Sequence, residues 1–114
     1  MARILIIEDD LQMMEMLRHT LKLEGYDVIG TLSGDEGMML YRKMTFDLII
    51  TDLFLPHTRG LEIILKLKQE GNKIIAISGA PASLELARGI GAHYSFAKPF
   101  SIHELSNAVR ELLN

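Results

Sequence analysis

The 114-residue chain contains no cysteine, which excludes disulfide bridges, thiolate metal sites and cysteine nucleophiles. It has no apolar run near the roughly 18 residues that a membrane span requires. No apolar leader follows a basic segment after Met1, so no secretory signal is visible. Positive charge is scarce too: 12 Lys and Arg against 15 Asp and Glu give a net charge of −3, with no basic footprint for nucleic acid. Linker-like and low-complexity stretches are missing. These absences suggest one domain over residues 1–114 and a cytoplasmic setting, with 48% hydrophobic and 24% charged residues as in an ordinary globular protein.

What is present is a set of apolar runs that each stop at a polar residue. Ile4-Leu5-Ile6-Ile7 ends at Glu8-Asp9, and Leu48-Ile49-Ile50-Thr51 ends at Asp52. Ile74-Ile75-Ala76-Ile77 ends at Ser78, and Tyr94-Ser95-Phe96-Ala97 ends at Lys98-Pro99. Runs of this kind fit strands buried on both faces of a parallel sheet, whose carboxyl ends form the usual ligand crevice of an open α/β fold. Carboxylates, a hydroxyl and an ammonium gathered at one edge point to divalent-cation and phosphoryl chemistry.

Between the runs the pattern turns helical. Met13, Met14, Leu17 and Leu21 recur at helical spacing before Gly25, and a second strand is expected from about Tyr26 to Thr31. Ser33 with Glu36 and Ser101 with Glu104 form capping-box patterns. Leu61, Ile64 and Leu65 mark a helix ending near Gly71, a short helix is expected from Pro81 to Ile90, and a last strand from about His93 to Ala97. The result is a (βα)5 chain, which right-handed crossovers turn into an α/β, doubly wound five-stranded parallel sheet. The seven methionines read first as core filling. The histidines lack paired ligand spacing, and His57 is the one near enough to Asp52 to approach a site.

Glu8-Asp9, Asp52 with Leu55-Pro56 and Gly60, Ser78, and Lys98-Pro99-Phe100 together resemble the receiver domain of two-component response regulators, over essentially the whole chain. The resemblance implies a flavodoxin-like fold with strand order 2-1-3-4-5. It implies phosphorelay signalling, with Asp52 accepting a phosphoryl group from a sensor histidine kinase or phosphotransfer protein. Mg2+ (or Mn2+) would be held by Asp9, Asp52 and the backbone carbonyl of Phe54, and by Glu8 through water. Ser78 and Lys98 would bind the phosphoryl group, and Lys98–Pro99 would be a cis-proline bond. Beyond that chemistry and slow self-dephosphorylation, no enzyme activity is expected. The partners implied are the phosphodonor and a downstream protein target, for a monomer or weak dimer with no direct contact to nucleic acid or membrane.

Three departures stand out. Where receivers often carry an aromatic three residues before the lysine, this chain has Ser95. Arg59 precedes Gly60, where an acidic or small residue is common. The stretch from Ser78 to Lys98 is about two residues short of many receivers, which should clip the fourth helix. With Ser95 in place, a phosphorylation response is expected to concentrate in Gly79-Ala80-Pro81 and that short helix. Two other classes fit some of the features. A haloacid-dehalogenase-type phosphohydrolase also uses a strand-end Asp, but wants a second acid where Phe54 stands. A phosphorylation-independent scaffold would not need the acidic set. For single residues, Asp10 is the better helix cap, and Gly60 serves either a positive-φ turn or a helix start.

Overall fold

The computed structural model describes residues 1–55 and 58–114, with the side chains of Thr58 and Arg59 outside the description. Pro56, part of the receiver-like motif above, and His57, read above as near enough to Asp52 to approach a site, lie outside the described residues.

Strands β1 (Arg3–Ile7), β2 (Asp27–Thr31), β3 (Leu48–Asp52), β6 (Ile74–Ser78) and β7 (Tyr94–Ala97) form one sheet in the order β2-β1-β3-β6-β7, every pairing parallel. This is the 2-1-3-4-5 order, its numbering displaced by two short strands after β3. Those strands, β4 (Phe54–Leu55) and β5 (Thr58–Arg59), pair antiparallel as a separate ribbon. Helices α1 (Leu11–Leu23), α2 (Gly34–Lys43), α3 (Gly60–Gln69), α4 (Pro81–Ile90) and α5 (Ile102–Leu113) complete the fold.

The β-branched runs explain the sheet. All five residues of β3 and of β6 are buried, so each central strand is covered on both sides. Alternation then sends Leu5, Ile7 and Ile49 to a core with Ile63, Ile64, Leu67, Leu84 and Ala87 of α3 and α4. Ile4, Ile6, Leu48 and Ile50 go to a second core with Leu17 and Leu21 of α1 and Leu105 and Val109 of α5. Each fully buried aliphatic side chain contributes on the order of 1.5–3 kcal/mol. On the α1/α5 face of β7, Tyr94 stacks on Phe96 at 6.4 Å between ring centroids, and Phe96 meets Phe100 at 6.4 Å. Aromatic pairs at such distances add about 0.5–1.5 kcal/mol beyond burial.

Helix ends follow local chemistry. Asp10 caps α1 by accepting the Met13 N–H, Ser33 caps α2 through Glu36 N–H, and Ser101 caps α5 through Glu104 N–H; each cap is worth about 1 kcal/mol. Gly25 (φ 99°) and Gly71 (φ 84°) sit where left-handed backbone closes α1 and α3. Tyr26 N–H bonds Leu21 O in the first of these closures, so Tyr26 belongs to the helix stop and β2 begins one residue later than the pattern suggests. β7 likewise begins at Tyr94, because the His93 ring accepts the Ile74 N–H at 3.2 Å. Gly60 starts α3, and a Cβ there would lie 2.4 Å from the Leu53 carbonyl oxygen; close backbone approach, and no special φ, requires glycine. The methionines divide. Met14 is buried and Met13, Met38 and Met44 pack on the cores, but Met16 and Met39 are 43% and 51% exposed, because helical spacing continues beyond the apolar stripe.

Candidate functional site

Parallel alignment brings the strand ends to one edge. Ile7 pairs with Thr31 and Thr51, Asp52 with Ile77, and Ser78 with Ala97. The residues just past these pairs are fixed by backbone bonds: Glu8 N–H to Thr31 O (3.0 Å), Leu53 N–H to Ile77 O (3.0 Å) and Lys98 N–H to Ser78 O (2.9 Å).

Four of the side chains read from the sequence meet there. Glu8, Asp9 and Asp52 each offer a carboxylate oxygen within 4.8 Å of the others. Glu8 is fully buried and Asp52 is 3% exposed, whereas Asp9 is exposed. Lys98 Nζ bridges the two buried carboxylates, donating to Glu8 Oε1 at 2.7 Å and to Asp52 Oδ2 at 2.5 Å. The other Asp52 oxygen accepts the Phe54 N–H at 2.9 Å. Glu8 Oε2 is buried without a hydrogen-bond partner.

Ser78 is at the same edge and fully buried, but its hydroxyl oxygen accepts the Ala80 N–H at 3.0 Å, within its own loop. Phe54 turns its ring outward, 58% exposed at the rim. The Lys98–Pro99 bond is cis. Two supporting contacts were not legible beforehand. The fully buried Thr51 donates its hydroxyl to Asp52 O at 3.0 Å, and Gly60 lets α3 press on the backbone of Leu53. A Thr-Asp pair at a strand end was the one available signal for the first, and nothing local signalled the second.

Charge is unbalanced here. Burial pushes Glu8 up to a pKa of about 7, Asp52 adds to the rise, and Lys98 opposes it. Burial also works against the charge on Lys98, yet its hydrogen bonds to Asp52 and Glu8 outweigh that and raise its pKa. One ammonium thus serves two buried carboxylates beside a third, exposed one. An all-oxygen set with an orphaned buried oxygen fits a small hard cation; it offers no nitrogen or sulfur ligand of the kind zinc prefers.

A family model described as the response regulator receiver domain matches residues 4–110. The chain belongs to this family. The receiver is 35% identical over 116 residues to response regulator ArlR of Staphylococcus aureus, covering 99% of this chain and 53% of that protein. It is 31% identical over 109 residues to the transcriptional regulatory protein YcbL of Bacillus subtilis, covering 93% and 48%. The receiver therefore spans about half the length of these curated relatives. Among solved structures, response regulator TrrA of Thermotoga maritima in complex with Mg2+ and BeF is similar at a TM-score of 0.89 and 28% identity, covering 99% of this chain and all of that one. None of the described helices is long and apolar enough to cross a membrane.

Proposed function

We propose that the receiver, as a single domain over residues 1–114, accepts a phosphoryl group on Asp52 from a histidine kinase or phosphotransfer protein and so changes its contacts with a downstream protein. The observation that carries this is Lys98 shared between buried Asp52 and Glu8, with Glu8 Oε2 left without a partner. Asp9, Asp52 and the Phe54 carbonyl would hold Mg2+ or Mn2+ directly, and Glu8 through water. The bound cation would offset the repulsion between Asp52 and an incoming phosphoryl group. An Asp52 oxygen attacks phosphorus, the P–N bond of the donor breaks, and an acyl phosphate forms as the imidazole leaves. Lys98 then pairs with a phosphoryl oxygen, and Ser78 gives up its turn contact with Ala80 to donate to another. Positioning and charge do most of this work.

With Mg2+, acetyl phosphate should add one phosphoryl mass to the parent and none to Asp52→Asn; equal gain in both by intact-mass analysis defeats the assignment. Lifetime gives a second check. A water attacking the acyl phosphate would have to pass Phe54 and Ala80, neither of which has a polar side chain to orient it. Self-dephosphorylation should therefore be slow, and faster in Phe54→Asn and Ala80→Glu. Identical decay in the three proteins removes that account.

A further inference from the structure

We infer that an aromatic column, Phe100–Phe96–Tyr94, carries the state of Asp52 to the far end of α5; this rests on the acceptor reading above. The chain of contacts starts at Lys98, whose ammonium is already shared by Glu8 and Asp52. A phosphoryl group on Asp52 brings strong new acceptors for that same ammonium, so Lys98 must redistribute its bonds. Phe96 and Phe100 lie two residues to either side of it, both packed on the α1/α5 core beside Ile102 and Leu112. Phe100 meets Phe96 at a 50° tilt, and Phe96 stacks on Tyr94 with 13° between the ring planes. The Tyr94 hydroxyl donates to the Glu111 carboxylate in the last turn of α5. From ammonium to Glu111, each link is a two-residue covalent step or a direct side-chain contact.

On the opposite face, among the described residues, the link from the site to α4 is the Ala80 N–H bond to the Ser78 hydroxyl at the start of that helix, a bond that Ser78 gives up in the acceptor reading. Alternation turns Ser95 away from its aromatic neighbours, towards the face covered by α2, α3 and α4. The loop after Ser78 supplies only Gly79, Ala80 and Pro81, and the space where a Gly79 side chain would stand is open. Closely packed groups transmit a displacement, and groups with no partner atoms on one side do not. Ser95 considered alone suggested a response concentrated in the loop and α4. The rings on either side of it redirect that response to α5.

The test is an amide chemical-shift map of the whole chain in Mg2+, with and without beryllofluoride. The parent should shift at Asp52, Ser78 and Lys98, and residues 109–113 should respond more than residues 81–90. Phe96→Leu should keep the shifts at Asp52 and Lys98 while residues 109–113 remain as in the free protein. Tyr94→Phe removes only the hydroxyl at the end of the column, should give the same loss, and decides the matter if Phe96→Leu does not fold. An α5 response that survives in the folded variants, or a parent response confined to residues 79–90, overturns the column and leaves the acceptor reading standing. No shift at Asp52 and Ser78 in the parent overturns the acceptor reading, and the column with it.

Discussion

The two edges of the sheet use the same kinds of charged residue to opposite effect. At the amino-terminal edge of the strands, Arg3 pairs with Asp27 at 2.8 Å, with both side chains more than a third exposed. Asp47 accepts the Arg3 N–H, Lys73 reaches the Leu112 carbonyl, and Tyr41 is bonded to both Glu70 and Asn72. There each named group has a partner and water close by. At the carboxyl edge, two buried carboxylates share one lysine and one buried oxygen has nothing. Exposed pairs are worth little and cost little. Buried ones cost a good deal to assemble, and an unbalanced buried set stores a demand for positive charge that a ligand can meet. The contrast separates charges that decorate a fold from charges held in a buried, unbalanced set.

Removing the shared lysine tests the contrast most severely. Lys98→Ala leaves Glu8 and Asp52 without a cation, and should cost about 3 kcal/mol in metal-free buffer at pH 8. A loss under about 1 kcal/mol by urea unfolding would make the carboxyl edge no different from an exposed pair. The next effect is on metal affinity. Asp9→Asn removes an exposed oxygen the fold does not need, so the protein should stay folded while Mg2+ binds at least about tenfold more weakly, about 1.4 kcal/mol. Unchanged affinity in a calorimetric titration would take Asp9 out of the site.

A pH series sharpens the comparison further. Burial lifts Glu8 from 4.5 to about 7 on folding, so between those values the folded protein binds more protons than the unfolded one. As far as Glu8 is concerned, stability without metal should therefore be fully present below pH 4.5 and should fall as pH rises from there towards 7. Saturating Mg2+ should flatten that slope, since it favours the ionised carboxylates, and Glu8→Gln should abolish the Glu8 contribution. A metal-free slope that persists unchanged in Glu8→Gln would assign it to other groups. The smallest effect belongs to the amino-terminal edge. Arg3→Ala should cost under about 1 kcal/mol, and the loss should shrink further in high salt. A larger, salt-insensitive loss by the same unfolding assay would show that this edge, too, holds a buried charge.

Much of the molecule was legible beforehand because its signals are local. Apolar runs ending at Glu8, Asp52 and Ser78, the caps at Asp10, Ser33 and Ser101, and the stops at Gly25 and Gly71 all rest on steric and hydrogen-bonding preferences within a few residues. The roles of Met16 and Met39 were misread because helical spacing does not say where a stripe ends. Lys98 was assigned to the phosphoryl group, and nothing in its neighbourhood of the chain revealed that it would also hold Glu8, 90 residues away. Gly60 was read as a positive-φ turn or a helix start; it does start α3, but the close approach that requires glycine was not legible, because the backbone it presses against lies at Leu53, earlier in the chain.

The sequence by itself determined the five helices, the five strands of the main sheet and their parallel arrangement, though not the short β4–β5 ribbon. It also determined the gathering of Glu8, Asp9, Asp52, Ser78 and Lys98 at one edge, since strand polarity and right-handed crossover leave no other edge for them. Only the tertiary structure decided how those groups share charge. Burial of Glu8, the two hydrogen bonds donated by Lys98 and the orphaned Oε2 depend on which chain segments exclude water at that spot. The Tyr94–Phe96–Phe100 column is of the same kind. Alternation placed Tyr94 and Phe96 on one face, but the packing of α5 brought Phe100 and Glu111 to meet them, and desolvation and contact are properties of the assembled surfaces.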